Sequence, residues 1–374
     1  MLAESIKEIA VKVGLYIPSL DKSYISGPDK YQMNLARALA DLNEIELLLL
    51  HHRPAIHHLG INAKHVIVED KKPISWELKL RKINLDIIHF NVIYAVSRIF
   101  FPILNCKKVV TVHGDEHWLK EISGKKYGRL DYRIRRLIEP LLCKHIDMII
   151  AVSYDLKRRL VEFLKIPDSK VKVIHEGVSS IYKPLPNASY VKKKYSISLP
   201  FIFHVSNLSP KKNPQTLLKT FSELIKDGFD LQLIIAGARW SNTGISSIID
   251  STELTRKIKV LGYVPEHDLV SLYNAAEIFF FPSLHETFGF PVLEAMACGT
   301  PVVTSNAYSI PEISGDAAIL CPPLDYMAFK NAIEHILQDA KTRKKMTSKG
   351  LENAKKFSWE KCAKETAKVY KQLL

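Results

Sequence analysis

The sequence predicts an α/β chain of two successive Rossmann-like domains facing each other, each a parallel sheet covered by helices. Three observations carry that reading. Short apolar runs recur along the chain and are continuous rather than alternating, as in strands buried on both faces. Helical patterns separate them, the rhythm of βα units. The rhythm then breaks at Tyr182-Lys-Pro-Leu-Pro-Asn-Ala188 and restarts, within 374 residues, more than one core usually supports.

In the first half, strands are expected at Val11–Ile17, Ile45–Leu50, His65–Val68, Ile87–Phe90, Val109–Val112, Met148–Val152 and Val171–Ile174. Helical patterns fall at Asp29–Leu42, Ser75–Ile83, Lys126–Cys143 and Asp155–Lys165. The two prolines after Tyr182 read as a linker, giving domains 1–185 and 186–374. Beyond it, strands are expected at Phe201–Val205, Leu231–Ala236, Ile258–Leu261, Ile278–Phe281 and Val302–Thr304. Helices fit Gln215–Lys226, His267–Asn274 and Pro291–Cys298, and three more close the chain at Tyr326–Leu337, Lys341–Lys355 and Trp359–Leu373.

Composition narrows the function classes. No apolar run approaches the ~20 residues of a membrane span, and the charged N-terminus does not read as a signal peptide. The five cysteines form no CxxC pair, which suits reduced thiols and a cytoplasmic setting. The net charge of +14 is uneven: residues 1–200 hold 33 Lys and Arg against 21 Asp and Glu, residues 201–374 hold 20 against 18. An anionic partner is therefore expected on the first half, with a membrane surface, an acidic acceptor and nucleic acid all qualifying on charge alone.

The densest motif is Glu286-Thr-Phe-Gly-Phe-Pro-Val-Leu-Glu294. It follows the buried-strand run Phe279-Phe280-Phe281 and opens a helix, with Pro291 in the first turn and Gly299 and Pro301 past the end. Such a helix start offers N–H groups and partial positive charge to an anion. Glu286 and Glu294 flank it, and carboxylates accept hydrogen bonds from sugar hydroxyls; surface charges near a helix start are the alternative. Position 289 is Gly, so His285-Glu286 does not begin an HExxH zinc site.

Other stretches are weaker. Asn207-Leu-Ser-Pro-Lys-Lys-Asn213 follows the strand Phe201–Val205, where Lys211 and Lys212 either neutralise a diphosphate or are simply solvated. His113 ends another strand and is either a ligand contact or a satisfied core imidazole. Ser26-Gly27-Pro28 opens a helix, with Gly27 permitting close backbone approach, but neither GxGxxG nor a Walker lysine is present. Between Lys120 and Lys144, Arg129, Arg133 and Arg136 share one face of an amphipathic pattern. That face either meets an anionic membrane or is a solvated arginine stripe. The His51–His58 run matches no zinc spacing, and no Asp-x-Asp is present to hold a divalent ion on a nucleotide sugar.

Together these residues resemble the retaining GT-B glycosyltransferases of the large group-1 family (glycosyltransferase family 4). The Glu286-x7-Glu294 block is similar to that family's donor-site signature, and further similarities spread over the chain: Ser26-Gly27-Pro28, Thr111-Val-His113, Asp147–Ser153, Ile174-His-Glu-Gly-Val178, Leu261-Gly-Tyr-Val-Pro265 and Phe357-Ser-Trp-Glu360. The resemblance implies a GT-B fold, two Rossmann-like domains across a cleft. The first is the acceptor side and the second the donor side, with helix 358–374 returning to the first. It implies catalytic roles for Glu286 and His113 on the transferred sugar and for Lys212 on the departing diphosphate. Glu294 would hold the ribose hydroxyls. Phe288, Gly289 and Phe290 would offer backbone N–H groups, and Val264 would lie beside the base. Lys211, Asn207 and Gly27 complete the donor-binding set. Where the family commonly has Gly-Arg-Leu, this chain has Ser206-Asn207-Leu208, so an arginine that would share the phosphate charge is missing.

The function so implied is hexose transfer from a UDP- or GDP-sugar to a glycan or lipid-linked acceptor. No cofactor, metal or nucleic acid is expected, and the setting would be cytoplasmic, peripheral at the inner membrane face. A GT-B-like epimerase or phosphorylase and a non-catalytic, basic membrane-binding protein are the rival readings.

Overall fold

The computed structural model describes residues 10–21, 27–68, 80–91, 105–114, 138–240 and 252–374. They divide into two units, Met1–Gly177 with Ser358–Leu374, and Val178–Phe357.

The first unit is built on seven strands: β1 Val11–Tyr16, β2 Ile45–His51, β3 Lys64–Ile67, β4 Ile87–Phe90, β5 Lys107–Val112, β6 Met148–Ala151 and β7 Val171–Val173. They order as β3-β2-β1-β4-β5-β6-β7, parallel throughout. The central strands are buried because helices cover the sheet. Helix Gly27–Ala40 packs against the C-terminal helix Trp359–Leu373, whose buried stripe includes Trp359, Cys362, Thr366 and Tyr370. Within this unit His89 bridges β4 and that helix, its Nδ1 2.6 Å from Tyr370 Oη and its Nε2 2.7 Å from Thr111 Oγ1.

The second unit carries β8 Phe201–Val205, β9 Gln232–Ala236, β10 Ile258–Gly262, β11 Ile278–Phe281, β12 Val302–Ser305 and β13 Ala318–Cys321. Their order, β10-β9-β8-β11-β12-β13, is again parallel. Alternate residues serve opposite cores. Phe203, Phe279 and Phe281 join Tyr273, Val292 and Met296 on one face, while Ile202, Ile278 and Phe280 join Leu217, Phe221 and Phe329 on the other. The Phe279-Phe280-Phe281 run is thus a central strand feeding both layers.

Strand order reverses between β1 and β4 and between β8 and β11, the switch points outside whose carboxyl ends open α/β sheets bind ligands.

Several elements differ from expectation. The units part at Gly177–Val178, upstream of the proline-containing stretch. That stretch belongs to the second unit: Tyr182 is in its core and Leu185 N donates to Asn274 Oδ1 at 2.8 Å. Strand β13 and the short helices Tyr190–Lys194, Thr252–Lys257 and Ile310–Ser314 have too few residues for a periodic signal and take their form from packing. Of the expected helices at 75–83 and 126–143, only residues 80–83 and 138–143 are described, and both pieces are helical. Arg129, Arg133, Arg136 and Ser26 lie outside the described residues.

Two histidines are sealed neutral in these cores. Burial pushes His89 down to about 3 from the ordinary 6.5. Burial pushes His204 down to about 4 even though the Phe280 carbonyl, 2.9 Å from its Nδ1, favours the proton. A depressed histidine stabilises the fold fully above its unfolded value and loses that contribution as pH falls toward the folded one. Melting temperature should therefore drop between about pH 6.5 and pH 4, and a His89→Asn/His204→Asn variant should show a shallower drop by circular dichroism. An unchanged slope would remove these groups as the cause.

Candidate active site

The loops after β8 and β11 meet at the second unit's switch point. After β8 the chain makes one 3-10 turn, Pro210–Lys212, then Asn213 takes a left-handed conformation (φ 55°) and opens helix Pro214–Lys226. Asn213 Nδ2 donates to Pro282 O at 3.0 Å, and Lys211 O accepts from Leu284 N at 2.7 Å. The two loops are thus laced together by backbone, and that lacing brings two charges face to face.

Lys212 Nζ is ion-paired with Glu286 Oε1, and the ammonium lies 5.0 Å from the centre of the Phe281 ring. Both side chains are mostly buried, 15% and 12% exposed. Burial alone would raise the Glu286 carboxyl. The charges of Lys212 and Lys211, with hydrogen bonds from Lys212 and from Ser283 Oγ (2.6 Å), outweigh it and hold Glu286 below the usual carboxylate range. Both bonds fall on Oε1.

Next comes Gly289, at φ 118° the N-cap of helix Phe290–Ala297, with Pro291 in the first turn. A side chain there would be strained, and its Cβ would fall 2.8 Å from Ile310 Cδ1. Phe288 is buried with its ring against Phe290 and Phe357, while Phe290 is half-buried. One turn into the helix, Glu294 Oε2 accepts from Tyr273 Oη at 2.9 Å. Burial, then the Glu294 charge, raises the Tyr273 phenol well above its ordinary value, so it stays a donor.

The sequence reading missed what braces this loop. Thr304 Oγ1 donates to Phe281 O (2.7 Å), Ser305 Oγ to Ser283 O (2.5 Å), and Ser309 Oγ to both Phe288 O (2.8 Å) and Glu286 O (3.0 Å). The signal is the hydroxyl-rich stretch from Thr304 to Ser309, at the end of β12 and just beyond it, a strand adjacent to β11.

Other expected site residues fall as follows. Asn207 Oδ1 accepts from Ala238 N at 2.9 Å, tying the loop after β9, which carries Arg239 (φ 72°), to the loop after β8. The Val264 side chain packs in the core, whereas neighbouring Tyr263 is 83% exposed. A Cβ on Gly27 would meet nothing within 4 Å, so packing does not demand glycine there. In the first unit, His113 follows β5, and its Nδ1 lies 2.9 Å from Glu176 Oε1. His51 and His65 bond to each other at 3.0 Å. Among the described residues no group of three His, Cys, Asp or Glu converges as for a metal ion.

Residues 192–353 match the family model of group 1 glycosyl transferases, and residues 25–180 match that of glycosyltransferase family 4. The O-antigen chain mannosyltransferase B of Escherichia coli is 35% identical over 246 residues, 64% of this chain and 65% of that protein. The serotype-specific mannosyltransferase WbdA of the same species is 28% identical over 236 residues, 61% of this chain but 29% of WbdA. The chain thus spans less than two thirds of the length of these relatives. Among solved structures, Anabaena Alr3699/HepE in complex with UDP superposes with a TM-score of 0.79 at 18% identity, covering 97% of this chain and all of that one. This likeness shows the two-domain fold.

The hydroxyl bracing is testable alone. Ser309→Ala removes a buried donor to two loop carbonyls and should cost about 1–3 kcal/mol, read as a lower urea midpoint with an unchanged slope.

Proposed function

We propose that this chain, a glycosyltransferase, moves a hexose from a UDP- or GDP-sugar to a glycan or lipid-linked acceptor, retaining the anomeric configuration and using no metal ion. The observation that carries the reading is the buried Lys212–Glu286 pair beside the start of helix Phe290–Ala297.

Transfer breaks the bond between the sugar's anomeric carbon and the phosphate oxygen, and the electron pair leaves with the diphosphate. Positive charge grows on the ring and negative charge on the leaving group. Lys212 and the helix-start N–H groups would stabilise the latter, already oriented and largely shielded from water. An incoming diphosphate competes with Glu286 for the Lys212 ammonium. The acceptor hydroxyl oxygen would attack the anomeric carbon on the leaving-group face, its proton passing to the departing phosphate oxygen. Lys212 and Ser283 hold Glu286 Oε1, and the resemblance gives this carboxylate a binding role rather than that of a covalent nucleophile. Its Oε2 would instead accept hydroxyls of the transferred sugar, as Glu294 would accept those of the ribose. Lys211 adds charge beside the diphosphate, Asn207 braces the same corner, and Phe288, Gly289 and Phe290 supply backbone N–H groups. His113 would meet a hydroxyl of the transferred sugar. The backbone at Val264 and the Tyr263 ring would lie beside the base.

The mannosyltransferase relatives make GDP-mannose the first donor to test and a polysaccharide the first acceptor. A panel of nucleotide sugars scored by thermal stabilisation identifies the donor. With that donor, Glu286→Gln and Lys212→Ala should each lower kcat/KM by about 10²–10³-fold while circular dichroism shows a native fold. Folded variants transferring radiolabelled sugar at the wild-type rate would refute the assignment.

Membrane association is a separate proposal, as is residence at the inner face of a cytoplasmic membrane. Among the described residues no helix is long and apolar enough to cross a membrane. Ile138 and Leu141, 39% and 56% exposed, lie in the helical residues 138–143, which follow Arg129, Arg133 and Arg136 in the sequence. The protein should sediment with anionic vesicles at low salt and release at about 0.5 M salt; failure to sediment at low salt would remove the idea.

A further inference from the structure

We infer that Glu176 is a positioning residue for His113: its carboxylate sets the tautomer and angle of the ring, so that Nε2 accepts a hydrogen bond from a hydroxyl of the transferred hexose. The inference rests on the reading of His113 as a sugar contact.

The two side chains are sealed together, 6% and 2% exposed, with Nδ1 2.9 Å from Oε1. An ionised carboxylate only accepts, so the shared hydrogen sits on Nδ1, and in the neutral ring Nε2 becomes an acceptor. The ring is confined as well as bonded. It meets the Tyr31 ring edge-on at 4.3 Å, and Tyr31 is anchored by Thr111 Oγ1 at 3.0 Å and by the Trp359 ring at 5.7 Å.

Glu176 itself has little freedom. Upstream, Ile174 N donates to Ala151 O at 3.0 Å, extending the β7 pairing onto β6. Downstream, Gly177 lies so close to the start of the C-terminal helix that a Cβ would fall 2.3 Å from Trp359 N. Burial raises the Glu176 carboxyl above its ordinary value, while His113 and then His175 draw it back. Ionising such a buried carboxylate is costly, and it is hydrogen-bonded to an imidazole. If Glu176 merely anchored the chain at this crossing, removing it would weaken the fold without depending on His113. If it acts through His113, the two effects are not independent.

A double-mutant cycle separates these roles. With the donor that turns over in the panel, His113→Ala should lower kcat about 10²-fold and Glu176→Ala about 10–10²-fold, with donor KM nearly unchanged. The double variant should be no slower than His113→Ala alone, and Glu176→Gln, which keeps an acceptor oxygen, should recover part of the rate. Nitrogen-15 NMR of the wild-type protein, with His113 assigned by its loss in His113→Gln, should show the proton on Nδ1. Independent, multiplying losses would overturn the inference, as would the Nε2–H tautomer in the folded wild type. Wild-type turnover by His113→Ala would instead remove the sugar-contact premise and the inference with it, whereas the NMR reading does not depend on activity.

Discussion

The second unit's site depends on one constraint: a lysine and a glutamate, both mostly buried, must stay paired without being neutralised beyond use. Taking two charges out of water costs several kcal/mol each, and a pair recovers that only with good geometry and extra hydrogen bonds. Here the recovery is visible: Ser283 adds a second contact to Glu286 Oε1, and the Phe281 ring faces the ammonium. The surrounding loops must therefore be rigid. That rigidity comes from Asn213 in its left-handed turn, from the carbonyl of Lys211, and from the hydroxyls of Thr304, Ser305 and Ser309.

The strand order explains why these residues meet. In a sheet ordered β10-β9-β8-β11-β12-β13, the helices after β8 and β11 go to opposite faces, and the loops that lead into them meet at the strand ends. Lys212 and Glu286, far apart in sequence, are brought there by the parallel pairing of β8 with β11 and by the bonds between the two loops. The helix start at Gly289 then brings N–H groups to the same end.

Much of this was legible in the residues. The continuous apolar runs gave the strands because burial on both faces removes alternation, and Phe279-Phe280-Phe281 shows it most plainly. Gly289 and Pro291 marked the helix start because each backbone demand there suits one residue type. The bracing hydroxyls escaped notice, since serine and threonine signal a partner only once the neighbouring strand is known. The partition at Gly177 escaped for a similar reason. Prolines flag a break in regular structure, yet Tyr182 and Leu185 pack onto the second unit, and the crossing falls at a residue whose need for glycine appears only against Trp359. Nothing in the sequence marks Glu176 apart from its neighbours; its partner is evident only from the 2.9 Å between its Oε1 and His113 Nδ1.

The first unit is assembled from both ends of the chain, with the second inserted between them. Its helix Gly27–Ala40 and the buried His89 wait for Trp359–Leu373, and Tyr370 supplies the phenol that meets His89. On the ribosome the first unit would emerge early but stay incomplete, with a polar group uncovered in an apolar layer, while the second unit could finish folding first. The order of maturation is then the reverse of the order of synthesis.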